Sequence, residues 1–476
     1  MDQHPSKIPQ EPKPRWDPSS LRREADLTGS SFRDPTSHLV SDQDGWVVRQ
    51  FVDSGAAEFN EVAETGLLQE LARSGLLVPF EVTGAEPLTV ASRRIPIVTY
   101  PAEWTPSALR EAALATLDIA EMAWEFDAQL KDASAYNLVF DRGRPRWVDL
   151  GSFQPGRRGI WAAYGQFCDH FLSPLLINER LGIPHTRLWS QAGIPVEVAA
   201  GLLPLSRHLD RTVWRHVHLR ARFERSSRDF GEEARLAVRR EIDLPAIAFP
   251  TLLRNLRQAI TRLDGTKISP WAGYELNNSY DHGVQTIRDE FIERAIAGLD
   301  HIDRATDIGC NTGRHSELLA RHFAKVVAVD GDPASIDVVR MRQADGSYGP
   351  NIWPVVANIL DPTPGSGLGH QERQSFHSRF DDADLVLWMA VLHHLVIAGD
   401  LPLELFSDLM VRLGRHHVVE FVDPEDAMVR LLTASKGGVR HHYSRAAFEI
   451  AIARHFRVAD LQQATETRWL YHLSPW

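Results

Sequence analysis

Residues 305–320 read ATDIGCNTGRHSELLA, and this stretch decides the fold of the C-terminal half. A short apolar run ends at Asp307, a turn contains Gly309 and Gly313, and a helix is predicted to open near Arg314. Glycine lets the backbone approach a ligand closely, and the first N–H groups of the following helix are free to bind it. The stretch therefore predicts a strand, a turn and a helix that together bind a nucleotide-like ligand.

The spacing of the glycines weakens the interpretation as a dinucleotide-binding fold. That fold uses G-x-G-x-x-G, whereas this chain has G-x-x-x-G with Asn311 in the second glycine position. Twenty-three residues after Asp307, the next predicted strand ends at Asp330 within VVAVDGDP. A carboxylate at that position is suited to hold both hydroxyls of a ribose. The two motifs together fit one adenosine. The alternative is a glycine turn whose neighbouring acidic residues only cap the ends of the strands.

After Asp264 the chain alternates between short β-rich runs and helical runs, which is typical of a parallel α/β domain. The predicted strands are residues 305–309, 325–329, 353–358, 384–389, 416–422, 456–461 and 468–473. The last two lie too close together for a crossover helix, so we expect them to pair as an antiparallel hairpin. Residues 264–476 are therefore predicted to form a seven-stranded, doubly wound domain.

The N-terminal half has a different sequence pattern. Residues 1–38 mix Pro, Ser, Asp and Arg without an apolar period, and we expect them to form a mobile, disordered leader. Residues 39–263 are predicted to form an α+β domain that continues into a helical connector. The elements predicted there are strands at 46–52 and 95–100, helices at 56–76 and 107–129, and mostly helical chain after 157.

A second group of polar residues lies in this N-terminal domain. Asp132 and Asn137 stand five apart in LKDASAYN, and Asp149 begins Asp-Leu-Gly after two short predicted strands. The order resembles protein-kinase-like folds, which implies that Asp132 orients a hydroxyl and that Asn137 and Asp149 hold magnesium. No glycine-rich loop precedes Trp46, however, and Arg49 stands where a lysine is expected. An active phosphotransferase, a degenerate scaffold that binds a substrate or nucleotide, and a simple capped turn all stay open.

The motif at 305–320 together with Asp330 resembles the class I S-adenosylmethionine-dependent methyltransferases, over about residues 265–476. The resemblance implies a Rossmann-like sheet with S-adenosyl-L-methionine as cofactor. It implies that Asp307 and the glycine turn lie along the amino-acid part of the cofactor, Asp330 binds its ribose, and Asn358 with Ile359 borders its adenine. The candidate cofactor-binding residues are Asp307, Gly309, Asn311, Gly313, Asp330, Gly331, Asp332, Asn358, Ile359, Trp388, Trp271 and Tyr280.

The catalytic candidates follow the fourth and fifth predicted strands of this domain. His393 and His394 are adjacent, so on a helix their side chains diverge by about 100° and one can face the cleft. A histidine there can take a proton from an oxygen or nitrogen nucleophile; positioning the substrate is the alternative. Glu420, in HHVVEFVDPED at the end of the fifth strand, is suited to orient the histidine or bind an amine, or only to cap the strand.

Segments throughout the chain from about residue 40 are similar to a bacterial, nodulation-protein-like family of two-part methyltransferases. They include KDASAYNLVF, WVDLGSF, WAAYGQFCDHFLSPL, WAGYELNNSY, DIGCNTGRHS, LHHL and EFVDPED. In that family the W-x-x-Y segment before the first strand, here Trp271 to Tyr280, is expected to cover the cofactor. Aromatic packing between the two domains is the alternative.

Composition excludes several other classes of protein. The chain has 476 residues with 52 basic and 63 acidic side chains, a net charge of −11, and acidic residues interrupt the arginines between 207 and 262. Binding to nucleic acid is therefore disfavoured. Two cysteines argue against a disulfide framework, and no apolar run is long enough for a membrane span or a signal sequence, so a cytoplasmic location is expected.

No metal site is predicted, since the histidine pairs 393–394, 416–417 and 441–442 lack the spacing of zinc ligands. The expected function is transfer of a methyl group from S-adenosylmethionine to an oxygen or nitrogen of a small-molecule or glycan-type acceptor. Two alternatives stay open, a phosphotransferase acting through the N-terminal domain and a non-catalytic scaffold that binds the cofactor.

Overall fold

A computed structural model describes residues 36–43, 45–157, 161–204, 211–229, 248–263, 282–435 and 443–476. Its strands are β1 (Ser37–Gln43), β2 (Trp46–Phe51), β3 (Phe80–Ala85), β4 (Leu88–Arg93), β5 (Ala128–Leu130), β6 (Leu138–Asp141), β7 (Arg144–Trp147), β8 (Phe153–Pro155), β9 (Arg304–Ile308), β10 (Lys325–Asp330), β11 (Ile352–Val356), β12 (Ala383–Trp388), β13 (Gly414–Val422), β14 (Phe456–Thr465) and β15 (Arg468–Pro475).

The α-helices are α1 (Asp53–Glu64), α2 (Leu67–Arg73), α3 (Pro106–Glu125), α4 (Tyr164–Phe167), α5 (Ser173–Leu181), α6 (Val196–Leu202), α7 (Arg211–Val213), α8 (Arg220–Asp229), α9 (Ala248–Thr261), α10 (His282–Ala297), α11 (Arg314–Ala320), α12 (Pro333–Ala344), α13 (Phe376–Phe380), α14 (Leu403–Leu413), α15 (Ala427–Ser435) and α16 (Arg445–Ile452). None of them, within the described ranges, combines the length and the apolar character needed to cross a membrane.

The C-terminal domain is built on one seven-stranded sheet in the order β11-β10-β9-β12-β13-β15-β14. Strands β9 to β13 run parallel, and β15 pairs antiparallel with both β13 and β14. The predicted seven strands and their terminal hairpin are therefore confirmed. The strand order reverses between β9 and β12, and in open α/β sheets ligands bind in the crevice at the carboxyl ends of the strands at that point.

The N-terminal region carries a four-stranded antiparallel sheet in the order β1-β2-β4-β3. The prediction of one continuous helix at 56–76 is wrong, because Gly66 at a φ of 82° separates α1 from α2. The strand predicted at 95–100 is also wrong, since the chain pairs earlier, as β4. Strand β1 begins inside the predicted leader, whose residues 1–35 lie outside the described ranges. A kinase-like fold for this region stays a prediction.

The two halves of the chain contact each other beside the C-terminal sheet. Helix α12, which follows β10, packs on α3 of the N-terminal half. Asp337 on α12 accepts a hydrogen bond from Ser107, and Arg340 one turn later forms an ion pair with Glu111. A second contact joins Glu103 to Arg379 in an ion pair that is almost completely buried. These contacts attach the N-terminal half to α12, which starts after β10, and to α13.

Trp388 lies in the core of the C-terminal domain. Its indole packs against Phe406 with ring centroids 4.9 Å apart, and its Nε1 donates to Nδ1 of His417 at 3.2 Å. Nε2 of His417 lies 3.1 Å from the carbonyl oxygen of Gly414, so the neutral ring accepts at Nδ1 and donates at Nε2. Burial lowers the pKa of His417 to about 3. A proton on Nδ1 would place two N–H donors face to face.

We expect this histidine to make the protein acid-labile. Because the pKa of His417 in the fold lies below its unfolded value of about 6.5, its contribution is complete above pH 6.5 and is lost as the pH falls towards 3. The free energy of unfolding should fall by about 1.4 kcal/mol per pH unit below 6 through this group alone. Urea unfolding between pH 7 and 5 measures the slope. His417→Gln, which does not titrate there, should be less steep by that amount; equal slopes would contradict the assignment.

Candidate active site

The turn after β9 brings the backbone to the edge of a large cavity. Gly309 has a φ of 69° and Gly313 a φ of 82°, conformations that favour glycine. The N–H groups of Gly309 and Cys310 donate to the carbonyl of Val329 on β10, which ties the turn to the neighbouring strand. A Cβ added to Gly309 would overlap the side chain of Val391. This close approach explains why glycine is required at the start of the turn.

Asp330 holds the other side of the turn. Its Oδ2 accepts from the backbone N–H of Asn311 at 2.9 Å, and its Oδ1 accepts from that of Asp332 at 2.8 Å. Asp332 in turn caps α12 by accepting from Ala334 and Ser335. Each carboxylate oxygen of Asp330 can accept a second bond, and the residue lines the cavity. This carboxylate, set at a strand end beside a glycine turn, fits the ribose of S-adenosylmethionine.

The cavity has a volume of about 1350 Å³. The predicted residues that it brings together are Gly309, Asn311, Asp330, Gly331, Asp332, His393, His394 and Glu420. Typical ligand pockets measure about 300–1,000 Å³, so the cavity has room for a cofactor and a second molecule.

Other predicted cofactor residues do not line this cavity. Asp307 is buried and accepts from Ser316 at 2.7 Å, which attaches β9 to α11, and burial raises its pKa to about 7. The side chain of Asn358 is exposed and accepts from the N–H of Leu360. Three more lie away from the cavity lining: Gly313, Ile359 and Trp388. Trp271 and Tyr280 lie outside the described residues.

The two predicted histidines differ in environment although both line the cavity. Their ring centroids are 4.2 Å apart. His393 is 5% exposed and its Nδ1 has no hydrogen-bond partner within the described part of the chain. Burial lowers its pKa well below 6.5, and the nearby His394 and Arg468 lower it further. His394 is more exposed, and burial also lowers its pKa. His393 therefore lines the cavity as a neutral imidazole whose Nδ1 has no hydrogen-bond partner among the described residues.

Glu420 is fully buried and lines the same cavity. Its Oε1 accepts from Arg288 at 2.5 Å and from Arg468 at 3.3 Å. Arg468 also contacts Asp426 at 3.1 Å. The carboxylate is thus held by two guanidinium groups, which sequence reasoning missed.

Further lining residues were not found from the sequence. Helix α10 contributes Gln285, Arg288 and Asp289, the start of α11 contributes His315, and α15 supplies an apolar wall of Met428, Leu431 and Leu432. His315 stands inside the motif at 305–320 and could have been found there. Helix α10 carries no motif, and its place beside β14 and β15 is decided by contacts between residues far apart in sequence.

No group of three or more His, Cys, Asp or Glu side chains is placed to hold a metal ion in the ranges that the structure covers. The pair His441–His442 lies outside those ranges.

A second cavity of about 1370 Å³ lies in the N-terminal half. It brings together Asp132, Asn137, Asp149 and Arg49, the residues singled out in the sequence. Arg49 lies 3.5 Å from Asp149, and burial together with the charge of Asp149 raises the pKa of Asp132. Residues 371–374 of the C-terminal domain form part of its wall.

The strand order, the glycine turn and Asp330 define a class I S-adenosylmethionine-dependent methyltransferase, whose cofactor is S-adenosylmethionine. Residues 306–438 match the family of methyltransferase domains. Over 449 residues the chain is 31% identical to nodulation protein NoeA of Rhizobium meliloti strain 1021, covering 90% of this chain and 92% of that protein. The chain therefore belongs to the NoeA family of nodulation proteins.

Solved methyltransferase structures are similar to part of the chain. The N-methyltransferase NodS from Bradyrhizobium japonicum WM9, in complex with S-adenosyl-L-homocysteine, is 19% identical with a TM-score of 0.31 and covers 43% of this chain and 96% of its own. The magnesium protoporphyrin IX methyltransferase from Synechocystis PCC 6803 is 14% identical with a TM-score of 0.29 and covers 42% of this chain and 88% of its own.

Proposed function

We propose that the protein transfers a methyl group to an oxygen or nitrogen of a small-molecule or glycan-type acceptor bound in the cavity of the C-terminal domain. One observation carries the proposal. The same cavity is lined by the glycine turn and Asp330, by His393, whose Nδ1 has no hydrogen-bond partner among the described residues, and by the buried Glu420. It therefore has a cofactor side and an acceptor side that meet.

Bound S-adenosylmethionine supplies an electrophilic methyl group on a cationic sulfonium. Asp330 and the turn at Gly309 would hold its adenosine and amino-acid parts, because they present a carboxylate and close backbone to the cavity. His393 acts as general base, since it lines the cavity and its buried Nδ1 has no hydrogen-bond partner among the described residues.

Calorimetric titration of the full chain with S-adenosylmethionine, repeated with S-adenosylhomocysteine, is the first test. Micromolar binding of both supports the cofactor side, and transfer of a labelled methyl group to a fractionated small-molecule extract then supports the acceptor side. A folded protein that binds neither compound would overturn the proposal.

We expect His393→Asn to slow methyl transfer about 100-fold while cofactor affinity stays within about twofold of wild type. The rate should fall because a general base accelerates a reaction roughly 10²–10⁴-fold. The affinity should be kept because the His393 side chain does not hold the glycine turn that binds the cofactor. Labelled-methyl transfer and calorimetry measure the two quantities. His370→Gln, an exposed histidine outside the cavity, is the matched control. Equal rates for His393→Asn and wild type would exclude His393 as the base.

For the N-terminal half we propose a kinase-like scaffold whose cavity binds a nucleotide. The juxtaposition of Asp132, Asn137 and Asp149 supports it, because the side-chain oxygens of Asn137 and Asp149 suit magnesium. Titration with ATP and magnesium, in wild type and in Asp149→Ala, tests it. An equal heat of ATP binding in wild type and Asp149→Ala, or no heat in either protein, would contradict the proposal.

A further inference from the structure

The wall of the C-terminal cavity holds hydrogen-bonding capacity that the protein does not use. We call this the acceptor end, defined by Gln285, Asp289, His315, His393 and Glu420, all of which line the cavity. Each has one buried side-chain atom without a hydrogen-bond partner among the described residues: Oε1 of Gln285, Oδ1 of Asp289, Nε2 of His315, Nδ1 of His393 and Oε2 of Glu420. Nε2 of His315 and Oδ1 of Asp289 lie 3.9 Å from each other, so Gln285, His393 and Glu420 carry the capacity that is most fully unused. Such atoms cost roughly 1–3 kcal/mol each, so their concentration at one place indicates a ligand.

The chemistry of these atoms selects the ligand. Three of them are oxygens that only accept hydrogen bonds. The two imidazoles are neutral, because burial lowers the pKa of His315 to about 4 and that of His393 well below its usual range. Arg288 and Arg468 donate to Oε1 of Glu420, and Arg314 donates to Oδ2 of Asp289, so none of these three bonds reaches Oε2 of Glu420 or Oε1 of Gln285. The acceptor end therefore requires a ligand that brings hydrogen-bond donors.

The cofactor itself does not account for the position of Glu420. Asp330 ends β10, whereas Glu420 lies on β13, and the sheet order places β9 and β12 between them. Three strand spacings of about 4.8 Å separate the two carboxylates by roughly 14 Å along the sheet. A ribose held at Asp330 is therefore remote from Glu420, which faces a second molecule.

On the basis of the proposed function, we infer that the methyl acceptor is an amine, bound through Oε2 of Glu420 and Oε1 of Gln285. A cationic donor compensates a buried carboxylate oxygen more strongly than a neutral hydroxyl does. A carboxylate or phosphate ligand would set its own lone pairs against the three acceptor oxygens, which is costly in a buried site.

The transfer step is consistent with this class of acceptor. The entering ammonium gives one proton to Nδ1 of His393, which passes it to water. The nitrogen lone pair then forms a bond to the methyl carbon while the carbon–sulfur bond breaks and its electron pair stays on sulfur. The positive charge that leaves sulfur appears on the methylated nitrogen, next to the carboxylate of Glu420. A weakly basic imidazole suits an amine better than an alcohol, because an alcohol is a far weaker acid than an ammonium ion.

Calorimetric titration of the full chain, saturated with S-adenosylhomocysteine, tests the inference with benzylamine, benzyl alcohol and benzoate. The shared ring matches the apolar wall of Met428 and Leu431, so the polar group is the variable. We expect benzylamine to bind at least about tenfold more tightly than benzyl alcohol, a difference of about 1.4 kcal/mol, and benzoate to give no heat. Equal or reversed affinities would overturn the inference while saturation by S-adenosylhomocysteine leaves the proposed function standing. Failure of S-adenosylhomocysteine to bind would instead overturn the proposed function.

Variants of Glu420 and Gln285 test where the amine binds. Glu420→Gln should abolish the preference for benzylamine while binding of S-adenosylhomocysteine is retained. Gln285→Leu, which leaves both arginine partners of Glu420 in place, should reduce the preference severalfold and covers the case in which Glu420→Gln does not fold. Glu290→Gln, an exposed neighbour on the same helix that does not line the cavity, should match wild type. A preference that survives in a folded Glu420→Gln and in Gln285→Leu would contradict the assignment.

Discussion

Gly309→Ala is expected to weaken binding of S-adenosylmethionine about 100-fold, close to 3 kcal/mol, in a protein that still folds. Gly309 has a φ of 69°, where an L side chain costs roughly 1–2 kcal/mol, and its added Cβ would overlap Val391. Val391 lines the same cavity, two residues before His393. Relief of the overlap must therefore move either the cofactor turn or the segment that carries the general base. Calorimetry with S-adenosylmethionine measures the loss.

Gly346→Ala is the matched control for this prediction. Gly346 has a φ of 82° but nothing within 4 Å of an added Cβ, so the backbone strain is similar and the overlap is missing. We expect stability to fall by about 1 kcal/mol and cofactor affinity to stay within about twofold. The double variant Gly309→Ala with Val391→Ala should regain part of the affinity. If Gly309→Ala binds as tightly as wild type, the turn does not contact the cofactor.

Glu103→Gln is expected to lower the free energy of unfolding by about 3–5 kcal/mol. Glu103 is fully buried and the side chain of Arg379 is 4% exposed, so the charge left on the guanidinium has little water to solvate it. Arg379 also donates to the carbonyl of Val98 at 2.8 Å and lies over the ring of Tyr100 at 4.3 Å, which prevents it from leaving easily. Urea unfolding followed by circular dichroism measures the change.

Two comparisons separate the buried charge from a general effect of losing a carboxylate. Glu70→Gln breaks an exposed pair with Arg73, and we expect its unfolding midpoint to equal that of wild type. Glu103→Gln combined with Arg379→Gln removes both charges and should recover part of the loss of Glu103→Gln alone. Equal shifts for Glu70→Gln and Glu103→Gln would show that the interdomain pair does not stabilise the fold.

The turn and sheet of the C-terminal domain were predictable because short-range signals encode them. Gly309 directly follows β9 and Asp330 ends β10, each within a motif, and the strand spacing fixes the terminal hairpin. The position of Trp388 was not predictable. Strand β12 is apolar on both faces, so alternation does not tell which face of its last residue meets the cavity.

Other parts of the site depend on contacts between residues far apart in sequence. Arg288 and Arg468 meet at Glu420 although they come from α10 and β15. No local pattern marks either of them as part of the site. The break between α1 and α2 is a smaller case, since one glycine inside a run of leucines is compatible with a continuous helix until its φ is known.

Helix α12 begins at the carboxylates beside the cofactor turn and is attached, one to two turns later, to α3 of the N-terminal half through Asp337 and Arg340. The N-terminal half therefore helps to hold in place the helix that begins beside the methyltransferase cleft. A methyltransferase domain cut out of this chain would expose the partners of Ser107, Glu111 and Glu103. Exchange of either half alone would likewise leave Asp337, Arg340 and Arg379 without these partners.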